Sequence, residues 1–459
     1  MLMASEAPHR LNVETPTPRQ LGYRMPAEWE PHAATWLVWP QNSTDWPGKF
    51  AAIPWVYADI VRHLSDGERV HMVVNDATVE LRARGILKKT GVDLAQVTFH
   101  HWPTNRGWTR DSGPIFVKRD GVETPSREFP PRVLPEGEGR LPGSTVPARL
   151  ATVPGSMAIT NWRFNAWAKY DDWQLDDQLP ARVAGALHVP AWEATVAYSR
   201  PPTIEPGDLS APHLDFAGSH QTPGSATPGE EGHRSSPSGM LGGEPAGQMR
   251  SQELVAASSV LRPLVLEGGS VDVNGQGMMI TTEECLLSDV QQRNPGISRE
   301  DLEMAFHDFL GVDKVIWLNR GIAGDDTHGH VDDIARFVNA STIVAAVEPN
   351  TSDENHQPLR ENLERLFSAT DGHGRPLRIV ELPMPAPVVF RGQRLPASYA
   401  NFYIANGRVL VPTFNDPNDR KALGILADLV PGREVVGIHS RDLIWGLGAI
   451  HCMTQQQPA

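Results

Sequence analysis

Cysteine is nearly absent from this chain: Cys285 and Cys452 are the only two among 459 residues. Two thiols in so long a chain cannot make a disulfide scaffold, which excludes the small cross-linked secreted class. No run approaches the roughly 20 apolar residues of a membrane-spanning helix. The opening MLMASEAPHRLNVETPTPRQ holds no apolar stretch of signal-peptide length. A reducing, cytoplasmic setting is therefore expected. Positive charge is also scarce: 41 Lys and Arg against 55 Asp and Glu leave a net charge of −14. Such a field repels nucleic acid and anionic membrane, so neither is expected as a partner, and it favours small cations.

What is present reads as a globular chain, with 40% hydrophobic and 21% charged residues and with Gly and Pro at 40 each. Residues 1–19 are expected to form a flexible N-terminus, with one domain over 20–458. Two stretches look inserted into it. Residues 121–155 are rich in Pro, Gly and Glu without apolar periodicity, and 201–252 contain the low-complexity TPGSATPGEEGHRSSPSGMLGGEPAGQ.

Outside these stretches a degenerate repeat runs along the chain. Val56, Ile60 and Leu64 stand at helical spacing, as do Leu179, Val183 and Leu187. Ser298 opens a third helix through Leu302, Phe306, Phe309 and Leu310, ended by Gly311. Leu359, Leu363, Leu366 and Phe367 mark the fourth, and Ala422, Ile425, Leu426 and Leu429 the fifth. Each is followed by a strand-like stretch such as KVIWL, LRIVEL or EVVGI. VDVNGQGMMITT, ARFVNASTIVAAV and NFYIANGRVLVPTF place apolar strands around turns containing Asn, as hairpins do. The unit is helix, strand, hairpin, about five times over. Mixed α/β units that each leave a face unfinished suggest closure into a ring. The polar residues before each hairpin, Asp111, Glu267, His330 with Asp332, and Cys452, would then converge at one end.

Each of these residues has a plain alternative. Cys452, in GAIHCMTQQQPA, could be a buried packing thiol, and Cys285 is read as one. His330 and Asp332, in GDDTHGHVDDIARFV, are read at the start of a strand, where alternate side chains share a face. The same stretch offers His328, His330, Asp332 and Asp333 as metal ligands, although no second ligand cluster accompanies them. Glu267, before Gly268-Gly269, could be a solvated strand end, and Asp111 a turn residue paired with Arg110. Trp108 could wall a flat cation or simply pack in the core. Taken together, one Cys, one His and three carboxylates at equivalent points of a repeat suit a guanidinium. Two carboxylates can grip its planar N–H donors while a thiol attacks the central carbon.

MPAEWEPHAATWLVWP, WTRDSGP, FNAWAKYDDW, LEGGSVDVNGQGMMITTEECLL, DTHGHVDD and IHCMTQQQP, in that order, resemble the agmatine deiminases. Those enzymes belong to the guanidino-group-modifying superfamily, with arginine deiminase and the Porphyromonas-type peptidylarginine deiminase. The resemblance implies a five-bladed α/β propeller, the pentein fold. It implies Cys452 as nucleophile, His330 as general acid/base, Asp111 and Asp332 as the guanidinium clamp, and Glu267 as support for substrate and His330. It implies no metal and no organic cofactor, and agmatine as the substrate. Deimination of arginine or peptidyl-arginine, and amidino transfer to an amine, remain the neighbouring alternatives. A papain-like protease lacks its local signature here. Association into a homo-oligomer stays open. Two departures from the family pattern bear on substrate fit: Gly446-Leu447-Gly448-Ala449 stands where the family shows Gly-Gly-Gly-Asn, and His328 replaces an Asn or similar polar residue.

Overall fold

A computed structural model describes residues 16–120, 155–198 and 260–459. The two stretches read as insertions fall almost wholly outside these residues, as do residues 1–15. By contacts the chain divides into Met1–Val196 with Leu261–Ala459 as one unit and Ala197–Val260 as another. Of the second, only 197, 198 and 260 are described. The architecture below is that of the first unit. No helix among the described residues is long and apolar enough to cross a membrane.

The five apolar stripes form helices. Ile53–Leu64 buries Ile53, Tyr57, Ile60, Val61 and Leu64 on one face, and each fully buried aliphatic side chain of this kind contributes about 1.5–3 kcal/mol. Leu179–Leu187 follows a 3₁₀ turn, Asp176–Gln178. Ser298 and Asp301 close a capping box on Arg299–Ala305, which passes into a π-type turn, Phe306–Leu310, before Gly311. His356–Ser368 and Asn418–Leu429 are the remaining two. A further helix, Ala77–Lys89, is capped by Asp76; only its Ala83 and Leu87 are buried, too thin a stripe to mark it in the sequence.

Five sheets share one plan: an antiparallel pair, then a helix, then a strand returning parallel. Asp272–Val273 and Met278–Thr282 pair antiparallel, and Lys314–Leu318 returns beside the second. Ala335–Asn339, Thr342–Val347 and Arg378–Pro383 repeat the pattern. So do Tyr403–Ala405, Arg408–Thr413 and Glu434–His439, and Ile115–Lys118, Met157–Asn161 and Ala191–Glu193. In the fifth sheet the C-terminal strand Gln455–Pro458 pairs antiparallel with His32–Val38, which is followed in parallel by Arg69–Val74 and Val97–His101. The first and last strands of the described residues therefore pair in one sheet. The hairpin turns obey their local chemistry: Gly407, after Asn406, takes φ +72°, which a residue with a Cβ resists.

One hydrophobic cluster joins Leu37, Tyr57, Val61, Leu410, Leu426 and Ile438 to Ala449, Ile450 and Cys452. The C-terminal turn bearing the thiol is thus packed into the core. One local expectation is corrected. Val331–Asp333 is a 3₁₀ turn, and the strand begins only at Ala335. His330 and Asp332 do face the same place, but the turn brings them there, not strand alternation.

Candidate active site

Asp111 lies on a one-turn helix, Thr109–Ser112. Its Oδ1 accepts the Gly269 N–H at 3.1 Å and its Oδ2 accepts Trp167 Nε1–H at 2.9 Å. Glu267 precedes a 3₁₀ turn, Gly268–Ser270. Its Oε1 accepts from Arg293 Nε at 3.1 Å, with both side chains fully buried. His330 follows Gly329, and both backbone N–H groups donate to Asp325 Oδ2. The His330 ring stands between two carboxylates, with Nδ1 3.7 Å from Asp111 Oδ1 and Nε2 3.7 Å from Glu267 Oε2. Asp332 Oδ2 lies 3.8 Å from Cys452 Sγ, and its Oδ1 is buried with no hydrogen-bond partner among the described residues. Cys452, on the turn Ile450–Met453, accepts from Asn401 Nδ2 at 3.1 Å.

Gly269 shows how tightly these groups converge. A Cβ there would stand 2.6 Å from His330 Nδ1, 2.8 Å from Asp111 Oδ1 and 3.2 Å from Asp332 Oδ2. On the other side of Cys452, a Cβ on Gly448 would stand 2.6 Å from the Trp108 ring and 3.2 Å from Cys452 Cβ. The structure therefore brings Asp111, Glu267, His330, Asp332, Trp108 and Cys452 into one locality. Trp108 is buried against Trp46, at 5.3 Å between ring centroids.

The charges are set by burial and by each other. Burial pushes the Cys452 thiol well above its ordinary value, and the carboxylates of Asp332, Asp333 and Asp111 push the same way. Burial opposes a His330 cation, but Asp111, Cys285 and Glu267 outweigh it and hold the imidazole well above its usual range. Burial raises Asp111 to about 6; the His330 cation pulls down, while Asp332 and Glu267 add like-charge repulsion. Glu267 is the opposite case: burial would raise it, but Arg293 and His330 hold it at about 2. Without substrate, then, the pocket holds a protonated thiol and an imidazolium among carboxylates, two of which have oxygens without hydrogen-bond partners among the described residues.

Several surroundings escaped sequence reasoning. Cys285, read as a packing thiol, is buried with its sulfur within 4.8 Å of donor atoms of Glu267 and His330. Arg110 is not the partner of Asp111. It contacts Glu28 at 3.3 Å, Gln456 Oε1 at 2.8 Å and the His451 carbonyl at 3.3 Å. His451 Nδ1 lies 2.7 Å from Asp332 Oδ2 and its Nε2 2.8 Å from Glu28 Oε2, and Arg336 adds a contact to Glu28 at 2.9 Å. Trp167 sits in a left-handed run, Ala166, Trp167 and Ala168, with φ of 50°, 58° and 51°. A run of non-glycine residues there persists only where the surroundings impose it. Lys169 and Tyr170, both bonded to Asp326, and the Trp167–Asp111 bond supply that restraint. Such contacts join residues far apart in the chain, and no local pattern announces them.

For metal binding the structure replaces the ligand set read from the sequence. His328 takes φ +62° and places Nε2 3.2 Å from Ser288 Oγ. Asp332 is engaged by His451. Among the described residues the donor cluster is instead Glu267, Cys285 and His330. Arg293, 3.1 Å from Glu267, already supplies a cation to that carboxylate, so the set fits proton handling better than metal binding.

The described residues thus form repeated mixed α/β sheets and bring together a buried cluster of Cys452, His330 and three carboxylates. The chain belongs to the Porphyromonas-type peptidyl-arginine deiminase family, whose model matches residues 24–458. It is 30% identical to the agmatine deiminase of Stutzerimonas stutzeri, over 97% of this chain and 98% of that one. It is 29% identical to the agmatine deiminase of Ectopseudomonas mendocina, over 97% and 98%. Among solved structures, the agmatine deiminase of Enterococcus faecalis superposes with a TM-score of 0.70 at 25% identity, over 97% and 98%.

Proposed function

We propose that this chain is a hydrolase of C–N bonds in linear amidines, converting agmatine and water to N-carbamoylputrescine and ammonia. The observation that carries the reading is the pairing of Cys452 with Asp332: the thiol lies 3.8 Å from Oδ2, while Oδ1 of the same buried carboxylate has no hydrogen-bond partner among the described residues. A planar cation gripped by Asp332 and Asp111 would present its carbon to that sulfur. The agmatine deiminase names of the relatives support the same substrate.

In this reading the substrate activates its own nucleophile. Burial and three carboxylates keep Cys452 protonated in the free protein; the arriving guanidinium offsets those charges and favours thiolate, the thiol proton leaving to solvent as the cation enters. Sulfur attacks the guanidinium carbon, His330 protonates the departing nitrogen, and ammonia leaves an amidino-thioether on Cys452. Water enters, His330 takes its proton, and the tetrahedral adduct collapses to the ureido product and free thiol. Glu267, held anionic by Arg293, keeps His330 charged and in place.

Agmatine suits the site better than arginine because arginine brings a carboxylate that needs a cation. Arg110 and Arg293 are already engaged by Glu28 and Glu267, and a buried carboxylate left unpaired costs several kcal/mol. We read the five repeated sheets as blades of a pseudo-symmetric propeller, with residues 20–458 as one deiminase domain. The recurrence of one strand plan and the pairing of the first and last described strands support this.

Ammonia release with agmatine, L-arginine and a blocked arginine peptide tests the substrate. Agmatine is expected to have the highest kcat/KM, and a higher value for either rival overturns the assignment. Incubation with glycine or ornithine tests transfer: an amidino product on the added amine would make the chain a transferase.

A further inference from the structure

Beneath the site lies a buried polar assembly that the mechanism above does not use. Its centre is His451, next to the thiol in sequence and 2% exposed. Both ring nitrogens face carboxylates: Nδ1 stands 2.7 Å from Asp332 Oδ2, and Nε2 stands 2.8 Å from Glu28 Oε2. A neutral imidazole has one N–H, so it can donate to only one of them. The second contact would set lone pair against lone pair unless a carboxylate carried the proton. Glu28 is a poor place for it. Burial would raise this carboxyl, but Arg336, His451 and Arg110 hold it well below the usual carboxylate range. Asp332 is likewise held low: burial raises it, and the His451 hydrogen bond leads the opposing effects.

We propose that His451 is the positioning residue of the guanidinium clamp, donating through both ring nitrogens so that Glu28 anchors the ring and the ring fixes Asp332. This rests on the deiminase reading and adds to it a division of labour within one carboxylate. Oδ2 is committed to His451 beside the thiol, which leaves Oδ1 for the incoming cation. Arg336 secures the far end, contacting Glu28 at 2.9 Å and also pairing with Asp272. The Asn401 side-chain oxygen accepts the His451 backbone N–H at 3.0 Å, while its Nδ2 donates to Cys452. Thiol and ring are thus placed by one amide. Orienting a ligand through a hydrogen-bonded partner behind it typically controls about 10–100-fold in affinity or activity.

The groups facing Asp332 decide what loss of the ring would do. They are His451, His330, Arg336 and Arg110 on the cationic side, Cys452 at 3.8 Å, and the carboxylates of Asp333 and Asp111. Removing His451 takes away the largest of the effects that hold Asp332 low and leaves burial and two like charges opposed only by His330, Arg336 and Arg110. Asp332 then binds a proton at higher pH, so the clamp weakens first on the acid side.

The test compares His451→Phe and His451→Gln with the native protein in kcat/KM for agmatine across pH. Loss of about 10-fold or more at neutral pH is expected for the Phe variant, with its acid limb moved upward. The Gln variant, which keeps one donor, should fall between. A folded His451→Phe protein with an unmoved limb and kcat/KM within about two-fold of native overturns the proposal. If neither variant folds, the native protein decides. With ¹⁵N-labelled histidine at pH 7, the ring assigned to His451 through its own backbone amide should carry hydrogen on both nitrogens. Single protonation of the assigned His451 ring in the free protein overturns the proposal without bearing on substrate identity. Conversely, a protein that turns over no guanidine fails the functional reading while the ring's hydrogens still report His451.

Discussion

Cys452 Sγ lies 3.8 Å from Oδ2 of the fully buried Asp332, so the nucleophile and the anion that repels its ionisation are neighbours. Reactivity should therefore depend on a cation's arrival. Iodoacetamide is expected to modify Cys452 slowly in the free protein, and faster than Cys285, which is 1% exposed against 6%. Cys452→Ala should lower turnover by on the order of 10⁴-fold or more while leaving the fold intact. Substantial ammonia release by that variant would remove Cys452 from the mechanism.

Gly269 has no room for a side chain. A methyl group 2.6 Å from His330 Nδ1 must displace His330, Asp111 or the backbone between them. Gly269→Ala is expected to lower kcat by on the order of 100-fold, the usual consequence of moving catalytic groups by about 1 Å. Native rates in a folded Ala variant would show that His330 need not stay where it is.

The acid limb of kcat/KM should report Asp111. Burial raises this carboxyl to about 6, so it is an anion above that pH and neutral below it. Affinity for the guanidinium is present on the alkaline side and lost as pH falls through about 6. Trp167 Nε1–H stabilises the anion, so Trp167→Phe should move the limb upward. A pH profile that superposes on the native one would separate Trp167 from the clamp.

Glu267 and Arg293 form a fully buried pair. Arg293→Met leaves the carboxylate without its cation, and breaking such a pair by removing one partner costs about 3–5 kcal/mol. Urea denaturation should show this loss, and the double variant with Glu267→Met should recover part of it. A single variant as stable as the native protein would mean that Glu267 takes up a proton or finds another partner.

Turnover should survive dialysis against EDTA, because the substrate is already a cation and Arg293 occupies the flank of the Glu267–Cys285–His330 cluster. Activity that disappears and returns with added zinc would assign those three residues to a metal.

Local chemistry carries much of this protein in plain view. Apolar spacing marks five helices, Asn-containing turns mark three hairpins, and both follow from interactions within about a dozen neighbouring residues. The set Asp111, Glu267, His330, Asp332 and Cys452 is also legible, since residue type and repeated position suffice to nominate it. The thin-striped helix Ala77–Lys89 and the 3₁₀ turn at Val331–Asp333 are not, because packing overrides their weak local signals. Only the tertiary structure decides which charges those site residues carry. Asp111 at about 6 and Glu267 at about 2 are both buried carboxyls, and they differ because Arg293 lies against one and like charges crowd the other. Glu28, Arg110, Arg336 and His451 meet beneath Asp332 from separate elements. A charge's energy depends on distance and burial, and neither is written along the chain.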